Sequence, residues 1–142
     1  MTHPVNSLYW SAQGDKVLRM GTFSYGEFGS FAEHYAGEYL GSKGYTILGR
    51  NYRKPWGEID IIVRKEGIII FVEVKANKKD LPGFEPEFRV DRNKRYRMAR
   101  IAGTYLSDHH FSVDQPWQLD VVAVTLDSER RVFKIRHYKN IE

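Results

Sequence analysis

The sequence contains no cysteine. That excludes disulfides, thiolate nucleophiles, cysteine zinc sites and iron–sulfur clusters, so any metal must sit on oxygen or histidine ligands. Long apolar runs are missing as well. The longest in the central region is Ile68-Ile69-Ile70-Phe71-Val72, far short of the ~20 residues of a membrane span. Residues 1–20 carry no apolar h-region, which argues against a secretory signal. There is no internal repeat, low-complexity tract or Pro/Gly-rich linker, and no Gly-rich phosphate loop, Gly-x-Ser-x-Gly elbow or serine-triad pattern. A soluble, cytoplasmic protein without a membrane partner is the expectation.

What remains is compositionally ordinary. A chain of 142 residues suggests one domain. With 42% hydrophobic and 14% aromatic residues it can build a core and is not a disordered chain. The net charge of +4 is modest, but it is unevenly spread. Between Arg89 and Arg100 six basic side chains (Arg89, Arg92, Lys94, Arg95, Arg97, Arg100) face one acid, Asp91, a net +5 that leaves the rest at −1.

Residues 1–22 are polar and aperiodic and read as a flexible leader; residues 23–142 read as the single domain. Ser24-Tyr25-Gly26-Glu27 is a capping box flanked by Phe23 and Phe28 as a hydrophobic staple. Phe28, Phe31, Ala32, Tyr35, Ala36, Tyr39 and Leu40 then follow helical spacing, with Gly44 as the stop. Ser30 to Glu33 offers a second, later start. Strands are predicted over Tyr45 to Arg53, Glu58 to Arg64 and Ile68 to Ala76. The last two are joined by Lys65-Glu66-Gly67, short enough for a hairpin with Gly67 at positive φ. A polar loop from Asn77 to Phe88 leads to a helix over 92–107, with Asp91 as N-cap and an apolar face of Met98, Ile101, Ala102 and Tyr105. Strands over 118–126 and 132–138 complete the order α-β-β-β-α-β-β, which fits an α/β or α+β sandwich on a mixed sheet.

The chemistry concentrates in Gly57-Glu58-Ile59-Asp60 and Phe71-Val72-Glu73-Val74-Lys75. Alternation puts Glu73 and Lys75 on one strand face and Val72 and Val74 on the other. A hairpin centred near Gly67 sets Asp60 roughly opposite Glu73 or Lys75. Two neighbouring carboxylates repel unless a cation lies between them, and charges within runs this apolar are costly unless paired or metal-bound. A hard ion such as Mg²⁺ suits oxygen ligands and can activate a water toward phosphorus. Lys75 would position that water or offset phosphate charge. The plainer reading is an ion-paired structural network of Asp60, Glu73 and Lys75.

At these residues the chain resembles the YraN-like group of small bacterial proteins, within the PD-(D/E)XK, restriction-endonuclease-like (Holliday junction resolvase-like) superfamily. The likeness spans roughly residues 26–140 and includes Glu33-x-x-Ala36-x-x-Tyr39-Leu40, Gly44-Tyr45, Ile47-Leu48, Arg50-Asn51-Tyr52-Arg53, Lys94 through Tyr105-Leu106, and Asp120-Val121-Val122-Ala123-Val124. It implies an α/β restriction-endonuclease-like core, a mixed sheet flanked by helices. It further implies Mg²⁺ or Mn²⁺ held by Asp60 and Glu73, catalytic assistance from Lys75, and Glu33 approaching from the first helix. Similar archaeal enzymes cleave four-way DNA junctions. Departures are Ile59 where a proline can precede the aspartate, Gln118-Leu119 where Arg-Phe is usual, and a C-terminal Asn140-Ile141 that only partly matches.

Several residues keep two readings. Glu33 is a metal-shell carboxylate or a capping residue for Ser30. Asp120 pairs with Lys75 or Lys94, or joins the site. Lys94 points toward the site or a phosphate, or snorkels. Arg92, Arg95, Arg97 and Arg100 are a solvated face or, beside a phosphodiester-cleaving site, phosphate contacts. Arg50, Arg53, Lys54 and Trp56 lie just before Asp60; Trp56 stacks a base or packs at the sheet edge. His109-His110 lack metal-ligand spacing and read as loop residues. The functional expectation is a divalent-metal-dependent nuclease acting on DNA, branched or otherwise structured, with Lys94, Arg95, Arg97 and Arg53 as nucleic-acid contacts. The alternative is a non-catalytic nucleic-acid-binding module that keeps the fold. A homodimer is compatible with either.

Overall fold

The computed structural model describes residues 7–10, 16–19, 25–78, 91–127 and 132–141. Its elements are β1 (Ser7–Trp10), β2 (Lys16–Arg19), α1 (Tyr25–Ser42), β3 (Thr46–Lys54), β4 (Gly57–Lys65), β5 (Ile68–Lys78), α2 (Arg92–Asp108), β6 (Trp117–Asp127) and β7 (Val132–Tyr138). From α1 onward this is the α-β-β-β-α-β-β order expected from periodicity. The strands form one sheet in the order β1-β2-β7-β6-β5-β4-β3. Only β5 and β6 pair in parallel, across the α2 crossover, so the sheet is mixed.

The two helices cover opposite faces. Phe28, Ala32, Tyr35, Ala36 and Leu40 of α1 bury against Ile61, Val63, Ile70, Val72, Val122 and Val124. Met98, Ile101, Ala102 and Tyr105 of α2 bury against Ile59, Ile62, Ile69, Phe71 and Leu119. This explains the unbroken apolar run in β5. Ile70 and Val72 face α1 while Ile69 and Phe71 face α2, so alternation still holds but both faces are covered. Each such side chain, fully buried, contributes roughly 1.5–3 kcal/mol.

The ends of α2 and the start of β3 follow local rules. The N–H of Lys94 donates to Asp91 Oδ1 at 2.8 Å, as an N-cap requires. Helix α1 begins at Tyr25, agreeing with the earlier of its two starts. Ser24 and Phe23 lie outside the described residues. Gly44, at φ +90°, lets the chain turn into β3. In the β4–β5 turn Glu66 and Gly67 have φ of 51° and 78°, both positive as a two-residue hairpin of this twist demands.

Two expectations differ from the structure. Within the segment read as a flexible leader, Ser7–Trp10 and Lys16–Arg19 pair with each other, and β2 adds to β7 at the sheet edge. Strands of four residues are too short for periodicity to reveal. In the segment read as a loop from Asn77, β5 continues to Lys78, because its ladder with β6 runs on through Asn77↔Thr125 and Lys78↔Leu126. Residues 79–88 of that segment lie outside the described residues. No helix among the described residues is long and apolar enough to cross a membrane.

Candidate functional site

The β4–β5 ladder runs from Lys65↔Ile68 to Ile61↔Val72 and stops there. Continuing that register by one step would set Asp60 level with Glu73, one of the two partners, Glu73 or Lys75, expected from the spacing. At this point the alternation in β4 breaks. Ile61 and Val63 lie in the α1-side core, whereas Ile59 and Ile62 lie in the α2-side core. Asp60 sits in the break. Its Oδ2 accepts the Val74 N–H at 2.8 Å, satisfying an amide beyond the end of the ladder.

Asp60 is only 8% exposed. Burial pushes its pKa up to about 7; the Val74 N–H opposes that rise, while the carboxylates of Glu73, Glu33 and Glu58 add to it. The structure therefore brings four acids into one electrostatic neighbourhood: Asp60 and Glu58 from β4, Glu73 from β5 and Glu33 from α1. Glu58 was not singled out from sequence. Its signal was its place two positions before Asp60 in the same motif.

Glu73 turns toward α2, where its Oε1 meets Lys94 Nζ at 2.5 Å. Both line a groove of ≈ 200 Å³ together with Gly57, Glu58, Arg97 and Met98. Gly57 opens the groove at φ +154°, a conformation that favours glycine. Lys75 lies two residues beyond Glu73 on the same face of β5, opposite Ala123 of β6. Lys94 thus points inward at the site, through Glu73, and Arg97 stands beside it. Arg95 is half-buried on the same helix.

The basic residues before Asp60 divide. Arg53 Nε pairs with Glu58 Oε2 at 3.0 Å across the β3–β4 hairpin. Lys54 Nζ pairs with Asp108 at 3.1 Å, an oxygen that also accepts the Tyr52 hydroxyl at 2.8 Å. Those two partners hold the Asp108 carboxyl below its usual range. The Arg50 guanidinium lies against Gly37 of α1, where a Cβ would collide with it. Trp56 belongs to neither core cluster, and the Arg100 guanidinium sits 5.2 Å from its ring centroid.

Asp120 requires a correction. It faces α1 beside Val72, while Lys75 is on the other face of the sheet and Lys94 is held by Glu73. Its partners are His137 Nε2 at 2.7 Å, Gln118 Nε2 at 2.9 Å and the Asn140 N–H at 2.9 Å. Asp120 is fully buried and the His137 side chain 4% exposed. The Ile141 N–H donates to Leu119 O at 2.8 Å beside them. The departures at Gln118-Leu119 and Asn140-Ile141 are therefore one structural unit that ties down the C-terminal residues. His109 caps α2, its ring stacked on Tyr105 at 4.0 Å between centroids.

The donor set near Asp60 fits a hard divalent cation. It offers oxygen only, is anionic, and includes a buried carboxylate crowded by others. Among the described residues no three His, Asp or Glu side chains converge to enclose an ion by themselves. Mg²⁺ needs no such cage, because it keeps several waters and is commonly bound through one or two carboxylates.

Fold and site together define an α/β domain with a mixed sheet, one helix layer on each face, and a carboxylate cluster where a central hairpin splays. The model of the uncharacterised protein family UPF0102 matches residues 32–124, and the chain belongs to that family, the YraN-like proteins. It is 34% identical over 109 residues to a UPF0102 protein of Roseiflexus castenholzii, covering 77% of this chain and 87% of that one. It is 36% identical over 97 residues to one of Campylobacter fetus, covering 68% and 82%. With a relative from Moorella thermoacetica it shares 40% over 104 residues, covering 73% and 85%.

Proposed function

We propose that this protein is a Mg²⁺- or Mn²⁺-dependent nuclease that hydrolyses phosphodiester bonds of branched or otherwise structured DNA. The observation that carries the reading is Asp60: a buried carboxylate, fixed by the Val74 N–H and crowded by Glu73, Glu33 and Glu58. An acid held this way is costly to ionise unless a cation joins it.

Asp60 and Glu73 would hold the metal, with Glu33 nearby from α1. A bound divalent ion supplies Lewis acidity toward a phosphate oxygen and lowers the pKa of water. Lys75, on the Glu73 face, orients the attacking water or offsets charge developing on the phosphate. Lys94 and Arg97, in the groove wall, bind the phosphate backbone and set its register. Arg95 and Arg53 extend that contact. The partner is DNA, the setting the cytoplasm, and a homodimer would present two such sites.

The second reading is a nucleic-acid-binding module without useful cleavage. The Lys94–Glu73 ion pair favours it, because it engages one of the two metal carboxylates. A panel of duplex, single-stranded, flap and junction DNAs with Mg²⁺ or Mn²⁺ decides between them. Cleavage that Asp60→Ala and Glu73→Ala abolish supports the nuclease. Binding without cleavage of any substrate supports the module, and cleavage that survives both changes discards the mechanism.

A further inference from the structure

Helix α2 presents a second surface beside the groove. Arg92, Tyr96 and Arg100 recur at i, i+4 and i+8, so they share one face, and all three are exposed. That row spans about 12 Å of helix axis. Its far end meets Trp56, whose ring lies 5.2 Å from the Arg100 guanidinium. Trp56 stands in the β3–β4 turn, directly before Gly57 and Glu58 of the groove wall. The order along the surface is therefore cation, ring, cation, ring, with Arg100 one helical turn from Arg97 of the groove wall.

The two rings do not serve the core. Tyr96 is 71% exposed and Trp56 37%, and neither belongs to a buried cluster. Large exposed rings beside guanidinium groups match a platform for nucleobases, which stack on aromatic faces regardless of sequence. The bases of an intact duplex are already stacked on one another and offer no free face. We infer that Tyr96 and the Trp56–Arg100 pair form a stacking track for unpaired nucleotides. The track selects DNA whose strand leaves the duplex beside the groove. For its substrate this rests on the nuclease reading above; as a binding surface it is independent of cleavage.

The test is fluorescence anisotropy in EDTA, comparing a labelled blunt duplex with the same duplex carrying a short single-stranded tail. The wild-type protein binds the tailed DNA more tightly. Trp56→Ala and Tyr96→Ala each weaken tailed binding by roughly tenfold or more, and leave blunt binding within about twofold. Trp56→Phe keeps most of the preference. Arg92→Ala lowers the log–log salt slope by ~0.7–0.9, whereas the two ring changes leave the slope unaltered. Equal wild-type affinity for both DNAs overturns the track, as does an equal loss on both in the alanine variants. Adding Mg²⁺ to the same substrates separates the two proposals. Discrimination without cutting keeps the track and removes the nuclease; cutting without discrimination does the reverse. A protein that binds neither DNA at low salt removes both.

Discussion

The carboxylate of Asp60 takes the Val74 N–H at 2.8 Å just where strands β4 and β5 cease to pair. A backbone donor that would otherwise be orphaned is satisfied by the residue that carries the proposed chemistry. The fold thereby fixes one oxygen of Asp60 amid the influence of its neighbouring acids. The same parting of the two strands also orients the carboxylate on which the proposed function rests.

The first prediction concerns stability and pH. The folded pKa of Asp60 is raised to about 7 from an ordinary 3.8. The folded state thus holds a proton between those values that the unfolded state has released. Stability is full below pH 4, falls as pH rises toward 7, and levels off above it. The total loss from this residue is about 1–4 kcal/mol. Asp60→Asn keeps an oxygen for the Val74 N–H but cannot ionise. Its urea midpoint should be nearly flat from pH 5 to 8 and exceed wild type at pH 8. A wild-type profile that rises through the same window contradicts the assignment.

Metal binding should follow the opposite trend. A cation requires Asp60 ionised, so affinity for Mg²⁺ or Mn²⁺ increases with pH and flattens above about 7. Below that value the dissociation constant should rise ~tenfold per pH unit, the slope for one displaced proton. Calorimetry at a series of pH values measures it. Asp60→Asn should lose the binding heat at every pH.

In the proposed nuclease, Lys94 and the metal would compete for Glu73. Their 2.5 Å contact must loosen if Glu73 is to turn to a cation. Lys94→Met should therefore cost ~1 kcal/mol of stability in EDTA, yet tighten Mn²⁺ binding several-fold. The melting temperature gained on adding Mn²⁺ would then be larger in the variant than in wild type. Equal gains would mean that Glu73 is no ligand. The same change should weaken DNA binding, because a phosphate contact is lost with the charge.

Much of this was legible in the sequence because it is local. The N-cap at Asp91, the apolar faces of both helices and the Gly67 turn depend on residues within a few positions of one another. The approach of Asp60 to the 73–75 stretch of β5 was legible too, since a tight turn converts spacing into register. The rest is set by contacts between distant segments. Lys94 and Glu73 meet only once α2 crosses over the sheet. The break in alternation between Ile59 and Ile61 coincides with the point where β4 stops pairing with β5. Periodicity cannot reveal that β5 and β6 run parallel, because both are apolar on both faces. The partnership of His137 with Asp120 has no signal in sequence spacing, since only the β6–β7 register brings the imidazole to the carboxylate.

Asp120 and His137 yield the last prediction. The carboxylate is completely buried and receives three donors, from His137, Gln118 and the Asn140 backbone. Asp120→Ala strands the buried His137 imidazole and unpairs the Gln118 amide and the Asn140 N–H, and such losses cost about 3–5 kcal/mol. Asp120→Asn keeps one acceptor oxygen but turns an amide NH2 toward one of the donors, so it should cost less. The Asn140 and Ile141 amides should lose hydrogen-exchange protection in both variants, because the C-terminal residues are anchored here. Mn²⁺ affinity per folded molecule should be unchanged, since Asp120 lies on the α1 face and takes no part in the Glu73–Lys94 groove. A variant that stays as stable as wild type, or that loses metal binding while folded, would move Asp120 from an anchor of the chain end into the site.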